Sequence, residues 1–350
     1  MMEALLRAAV EKRASDVHIT VGVPPVLRLN GSLVRTEAAP LSVHDTRAML
    51  EAITSPEQQD KFWQTGELDF SFAIPGLSRF RVNAFRQRGS AAIAIRVVNE
   101  RIATLDELGH PEILKSLARM PRGLVLVTGP TGSGKSTTLA AMIDLVNNER
   151  ACHVLTLEDP IEYLHKHKKC IVNQREIHAD SKSFANALRA ALREDPDVIL
   201  VGEMRDVETI GIAVTAAETG HLVFATLHTC DAAQTIDRII DVFPPHQQQQ
   251  IRIQLSLTLQ GIVSQQLLPR MDGNGRIVAH ELLMVTPAVR NLIREGKTHQ
   301  IASVIQTGAR FGMQAMDFSL RDLFRRGLIS YEDALERSMN PENFIRLANS

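Results

Sequence analysis

The stretch Gly123-Leu-Val-Leu-Val-Thr-Gly-Pro-Thr-Gly-Ser-Gly-Lys-Ser136 decides how the rest of the chain is read. An apolar strand, Gly123–Thr128, runs directly into a glycine-rich loop, and a helical pattern over Thr137–Asn147 follows. The loop Gly129–Ser136 fits the spacing G-x-x-x-x-G-K-[ST] in the strand–loop–helix setting that gives the spacing meaning. Gly129, Gly132 and Gly134 let the backbone curl until successive N–H groups converge on an anion. The helix dipole adds partial positive charge at the same point. Lys135 is then placed for the β- and γ-phosphates of a nucleotide and the Ser136 hydroxyl for Mg²⁺, with Thr131, Ser133 and Thr137 completing the binding stretch. The rival explanation, an accidental glycine-rich turn, is disfavoured by this setting.

Outward from the loop the pattern repeats. His153–Leu157, Val198–Val201 and Leu222–Leu227 are apolar runs of strand length. Between them, Ser183–Glu194 is helical, and Asp206–Glu218 is a helix capped by Asp206 and stopped at Gly220. Strands apolar on both faces that alternate with helices predict a parallel sheet with crossover helices. The tail after Pro244 reads as largely helical, with the polar run Gln247–Gln250 on a solvated face. No internal repeat or low-complexity segment is present.

The first hundred residues have a different grammar. Val26–Thr36 is two alternating runs joined by Asn30-Gly31, a pair suited to a two-residue hairpin turn. Alternation returns in Leu68–Ile74, Arg79–Arg86 and Ala91–Val98. Four or five short strands with flanking helices predict a small, mostly antiparallel α+β domain over 1–98, a linker over 99–110 and an α/β domain over 111–350. A chain of 350 residues exceeds what one hydrophobic core usually covers, so two domains are expected.

Composition narrows the function classes. A content of 44% hydrophobic and 23% charged residues is that of a soluble globular protein. The net charge of −1 and the 4% aromatic content give no case for nucleic acid or an anionic membrane as partner. The start, MMEALLRAAVEKRASD, is not a signal peptide, and no apolar run is long enough to span a membrane. Cys152, Cys170 and Cys230 are odd in number and widely spaced, which argues against a disulfide framework or a zinc site and for a reducing cytosol.

Hydrolysis requires a carboxylate to activate water and acidic groups to hold Mg²⁺. Val198-Ile-Leu-Val-Gly-Glu203 sets a carboxylate at the end of a buried strand, which makes Glu203 the candidate base. Gly202 occupies the place where many P-loop enzymes carry the Mg²⁺-binding Asp, so that duty is open to another segment. The acidic box Thr156-Leu-Glu-Asp-Pro-Ile-Glu-Tyr163 offers Glu158 and Asp159 for Mg²⁺ and Glu162 as a catalytic helper. A solvated acidic loop is the plainer alternative. Two histidines, His221 and His228, bracket the strand Leu222–Leu227 and are candidates for sensing the γ-phosphate, His228 with a catalytic part; a structural role is equally open to each. Neither has metal-site spacing, which disfavours zinc.

These blocks together resemble the secretion-type ATPases of the additional-strand P-loop class, and within it the type IV pilus retraction ATPases. The carrying residues are the P-loop, the acidic box, the atypical Walker B stretch Ala191–Asp206 and the histidine box Thr215–Thr229. The resemblance runs over nearly the whole chain, from Ala14–Thr20 through Arg79–Gln87 to the tail. Ala288-Val-Arg-Asn-Leu-Ile-Arg-Glu295 matches the family's retraction signature AIRNLIRE except for Val289, with Arg290, Asn291, Leu292, Arg294 and Glu295 retained. By spacing alone that segment is an amphipathic surface helix. The four-cysteine zinc insertion of extension and type II secretion ATPases is lacking, and Leu267–Arg276 reads as a short polar turn in its place.

The resemblance implies a PAS-like N-terminal domain and a RecA-like ATPase domain assembled as a homo-hexamer. ATP and Mg²⁺ would be used without zinc, with Arg81, Arg86 and Arg96 of the N-terminal domain reaching the phosphates. It further implies a cytoplasmic motor at the inner face of the membrane, without membrane insertion or direct nucleic-acid contact. That motor would work on an inner-membrane pilus platform protein, sometimes beside a retraction paralogue, to power twitching motility and pilus-dependent uptake. A pilus extension or type II secretion ATPase, a DNA-transport ATPase and a nucleotide-gated adaptor are the competing expectations.

Overall fold

The computed structural model describes residues 1–29, 31–98, 101–273 and 275–349. It divides into two units, Met1–Arg101 with Glu162–Leu164, and Ile102–Ile161 with His165–Ser350. Asn30 of the expected hairpin turn, residues 99 and 100 of the expected linker, and Asn274 lie outside the described residues.

The first unit contains α1 (Met2–Glu11), β1 (Asp16–Ile19), β2 (Val26–Leu29), β3 (Ser32–Arg35), α2 (Val43–Glu51), α3 (Pro56–Thr65), β4 (Glu67–Ile74), β5 (Ser78–Gln87) and β6 (Ser90–Val98). The strands form one antiparallel sheet in the order β3-β2-β1-β6-β5-β4, the α+β character expected. The sheet has six strands rather than four or five, because Asp16–Ile19 pairs with both β2 and β6. Period-two alternation sorts its faces. Val17, Leu27, Phe80, Val82, Ile93 and Ile95 turn inward against Leu6, Met49, Leu50 and Phe62 of the helices. Arg81, Asn83, Arg86 and Arg96 are exposed. Ser42 and Ser55 start α2 and α3 with reciprocal capping boxes, using Asp45 and Gln58.

The second unit contains α4 (Ile113–Ala118), β7 (Gly123–Thr128), α5 (Lys135–Glu149), β8 (His153–Glu158), β9 (Ile171–Glu176), α6 (Phe184–Ala191), β10 (Val198–Val201), α7 (Val207–Glu218), β11 (Leu222–Leu227), α8 (Ala232–Asp241), α9 (Pro245–Thr258), β12 (Leu259–Pro269), β13 (Arg276–Met284), α10 (Pro287–Arg294), α11 (Ile301–Thr307), α12 (Met316–Arg325), α13 (Tyr331–Arg337) and α14 (Pro341–Asn349). Its sheet runs β13-β12-β7-β11-β10-β8-β9, parallel except for β13.

Alternate residues of the central strands enter two different cores, which is why these strands read as continuous apolar runs. Leu124, Leu126, Ile199, Val201, Val223 and Ala225 pack with residues of α6 to α9. Val125, Val127, Val198, Leu200, Leu222 and Phe224 pack on the other face with α4 and α5. Helices on both faces of a mostly parallel sheet are the layered α/β architecture the loop predicted. Asp206 caps α7, accepting from the Thr209 N–H.

The tail after Pro244 is largely helical, as read, but two long strands interrupt it. The long strands β12 and β13 form a hairpin that extends the sheet beyond β7. The stretch Leu267–Arg276 therefore includes the end of β12 and the first residue of β13. β12 was hidden because Ser264 and Gln265, in its middle, are polar yet buried.

Candidate functional site

The sheet register gathers the chemistry at one edge. β7, β11, β10 and β8 are parallel and in step, with Thr128 opposite Leu227, Val201 opposite Ala225, and Val201 also opposite Leu157. The loop after β7, His228 after β11, Glu203 after β10 and Glu158–Asp159 at the end of β8 all leave the sheet at its C-terminal edge, where α/β proteins bind ligands.

The loop itself needs its glycines. Gly129 has φ +142°, and a Cβ there would sit 2.3 Å from the Gln265 carbonyl oxygen and 2.6 Å from Ser133 Oγ. Gly134, at φ +89°, is the N-cap from which α5 departs. Lys135 opens α5 and folds back, donating Nζ–H to the carbonyls of Gly129 at 2.8 Å and Pro130 at 3.0 Å. Ser133 Oγ is buried in the loop without a hydrogen-bond partner, a donor that a phosphate oxygen would engage. The N-terminal end of α5 and an ammonium meet there, so the loop suits a polyphosphate.

Glu203 Oε1 accepts from His228 Nε2 at 3.1 Å and also from Arg205 Nε. With its proton on Nε2, a neutral His228 keeps Nδ1 as an acceptor, and that atom lies 3.5 Å from Lys135 Nζ. Lys135, the imidazole and the carboxylate are thus brought into one line. Pro130, Thr131, Glu203, Arg205, His228 and Arg238 wall a cleft of 740 Å³ above them.

Gly202 is a glycine for a geometric reason. A Cβ there would lie 3.0 Å from the Leu157 carbonyl oxygen and 3.2 Å from Glu158 Cα, so β10 passes β8 too closely for a side chain. Its carbonyl is held by Thr226 Oγ1 at 2.5 Å. Glu158 Oε1 accepts from Thr156 Oγ1 at 2.6 Å and Gln174 Nε2 at 3.2 Å, while Asp159 is exposed near His178. Among the described residues no cluster of three or more His, Cys, Asp or Glu side chains could hold a metal. Mg²⁺ does not require one, since it typically takes one or two protein oxygens with phosphate and water. Ser136, Glu158 and Asp159 are all-oxygen donors of that kind.

Two expected residues, His221 and Arg290, are engaged away from the loop. His221 precedes β11, at the opposite edge of the sheet from His228, about 23 Å away at about 3.3 Å per residue. There its Nδ1 bonds the Ala216 carbonyl at 2.9 Å, so the structure does not bring it to the loop. Glu162 follows Glu158 and Asp159 in the chain and is counted with the first unit. Arg290 turns inward rather than out, donating to the last carbonyls of α9, Ser256 at 2.6 Å and Leu257 at 2.8 Å. Val289 and Ile293 of the same helix are fully buried, and Asn291, Arg294 and Glu295 are exposed. Arg81, Arg86 and Arg96 are exposed on the first unit, with Arg96 paired to Asp16 at 3.0 Å. Sequence reasoning missed Arg205, although it lies two residues beyond Glu203.

A glycine loop between a buried parallel strand and a helix, with a lysine inside it and a carboxylate–histidine pair on neighbouring strand ends, defines a P-loop ATPase. The chain belongs to the type II/IV secretion system protein family, which matches residues 1–276. It is 53% identical to the type IV pilus retractation ATPase PilT of Pseudomonas aeruginosa, covering 97% of this chain and 98% of that one. It is 51% identical to a twitching motility protein of Neisseria gonorrhoeae, covering 97% and 91%. The crystal structure of the pilus retraction motor PilT with bound ADP superimposes with a TM-score of 0.92 at 51% identity, covering 99% of both chains.

Proposed function

We infer that this chain is the ATPase motor that retracts a type IV pilus, powering twitching motility. The observation that carries the reading is the 53% identity to a pilus retractation ATPase over essentially the full length of both proteins. The short connection between β12 and β13, which has no cysteine, supports retraction over extension.

Lys135 would release its two loop carbonyls to neutralise the phosphates, aided by the Ser133 hydroxyl and the N–H groups of the loop. Glu203 would orient and deprotonate the attacking water, with His228 holding the carboxylate and reporting on Lys135. Ser136, Glu158 and Asp159 are the proposed Mg²⁺ ligands, and the ion would draw charge from the transferring phosphoryl group. Glu162 is a proposed helper, and Arg81, Arg86 and Arg96 are proposed phosphate contacts. The motor works as a homo-hexamer in the cytoplasm at the pilus base, gripping an inner-membrane platform protein, with a retraction paralogue as a candidate companion. Among the described residues no helix is long and apolar enough to cross a membrane.

Deleting the gene tests the direction of the motor. Retraction predicts cells with surplus surface pili that no longer twitch; cells stripped of pili would overturn it.

A further inference from the structure

Beneath the phosphate loop, four buried side chains form one continuous line of hydrogen bonds. Gln265 of β12, 1% exposed, donates Nε2–H to the Ser133 carbonyl at 2.7 Å. Its Oε1 accepts from Thr138 Oγ1 of α5 at 3.0 Å. Thr138 Oγ1 is also 3.0 Å from His110 Nε2, and His110 Nδ1 is 2.7 Å from Nε2 of His280 on β13.

One end dictates the direction of every proton. A carbonyl only accepts, so Gln265 must turn its amide N–H₂ to Ser133 and its oxygen to Thr138. Thr138 spends its single hydroxyl proton on that oxygen and therefore accepts from His110 Nε2–H. A neutral imidazole carries one N–H, so His110 Nδ1 is bare and accepts from His280 Nε2–H. All four donors point toward the loop, and bonds aligned in this way polarise one another. A second proton on His110 would set two N–H groups face to face. Burial opposes this, pushing His110 down to about 4 and His280 to about 3.

The loop rests on this line. A Cβ on Gly134 would come within 3.2 Å of Gln265 Nε2, and the Gly129 Cβ position is blocked by the Gln265 carbonyl. In a trans peptide the C=O and the following N–H point opposite ways. Drawing the Ser133 carbonyl toward β12 therefore turns the Gly134 N–H away from β12, to the side read as the phosphate site.

We propose that Gln265, Thr138, His110 and His280 are positioning residues that hold the Ser133–Gly134 peptide plane for phosphate binding. They act on nucleotide affinity rather than on the chemical step. This rests on the reading that Gly129–Ser136 holds the phosphates.

The test uses the full chain, fluorescent mant-ADP with Mg²⁺ and steady-state ATP turnover. Thr138→Val keeps the side-chain shape and cuts the line, and Gln265→Met leaves the Ser133 carbonyl without its donor. Both should raise the mant-ADP Kd and the KM for ATP by about fivefold to tenfold, the scale of one lost hydrogen bond, with kcat within about twofold. Thr138→Ser should return both constants to within about twofold of the original. His280→Phe, farthest from the loop, should shift them in the same direction and decides the matter for any variant lacking a native circular dichroism spectrum. Unchanged Kd and KM in natively folded Thr138→Val, a kcat loss at constant KM, or a Ser variant as weak as the Val one would overturn the proposal. Lys135→Ala separates the two readings. Normal mant-ADP binding there refutes the loop as phosphate site, whereas its loss beside an unaffected Thr138→Val refutes the positioning line alone.

Discussion

His228 stands with Nε2 3.1 Å from Glu203 Oε1, so the ends of β11 and β10 share one proton-bearing contact at the mouth of the nucleotide cleft. Because the other face of the ring looks to Lys135, a change at the phosphates has a direct route to the carboxylate. Replacing Glu203 by Gln keeps the side chain nearly isosteric and removes the proposed base. Phosphate release should fall by about 10²–10⁴-fold while mant-ADP affinity stays within about threefold. Turnover at the original rate would end the assignment of Glu203.

Gly202 offers a test of the pinch between β10 and β8. Gly202→Ala places a methyl group 3.0 Å from the Leu157 carbonyl oxygen, and backbone atoms give way at a cost. Unfolding in urea should show a loss of about 1–3 kcal/mol. Gly202→Asp should lose more and gain no Mg²⁺ dependence. An alanine variant as stable as the parent would show that the strands can part there.

Arg290 should matter for folding before it matters for any partner. It closes the C-terminal end of α9 with two charge-assisted hydrogen bonds where the helix dipole is negative. Arg290→Met should cost about 1–3 kcal/mol and speed amide exchange in the last turn of α9. Lysine, with one point charge in place of a fork, should restore only part of that. Alanine at Asn291 or Arg294 should stay within about 0.5 kcal/mol. An Arg290→Met variant with undisturbed exchange in α9 would contradict the capping role.

Stability should decline on the acid side of neutrality. Burial lowers His110 and His165 to about 4 and His280 to about 3, from an ordinary value of 6.5. Below 6.5 the unfolded chain takes up protons that the folded chain refuses, so the contribution is full above 6.5 and is lost as pH falls toward about 4. Glu281, raised by burial to about 7, acts with the opposite sign: its contribution is full below 4.5 and is lost as pH rises through 7. Between 4.5 and 6.5 three histidines outweigh one glutamate, each group contributing a slope of about 1.4 kcal/mol per pH unit. The melting temperature should therefore drop from pH 6.5 to pH 5, and His165→Phe should flatten the drop. A rise in stability over the same interval would contradict the buried-histidine account.

What the sequence displayed depended on how apolar each element's buried side is. Val198–Val201 and Leu222–Leu227 were legible to the residue, since both faces meet hydrophobic cores and polar residues bound them. The P-loop was legible because glycine and lysine spacing carries its own stereochemistry. β12 was not, because Ser264 and Gln265 are buried to make hydrogen bonds and leave no apolar stripe. β9, an edge strand reading Ile-Val-Asn-Gln-Arg-Glu, lacks the apolar run too: its only buried apolar residue is Val172, and Glu176 is buried as a hydrogen-bond acceptor. His221 and His228 look equivalent in a linear string, yet the two ends of a parallel strand are different places. The line from His280 to Ser133 joins residues 170 and 28 positions apart along its His–His and His–Thr links, which no local pattern exposes.

The helix α10 divides its own signature between two masters. Val289, Ile293 and Arg290 answer to the core and to α9, obligations set by the fold of this chain. Asn291, Arg294 and Glu295 answer to whatever lies outside. The outer three carry no part of that burden, so this face of the helix can be redrawn, by selection or by an engineer, without renegotiating the fold.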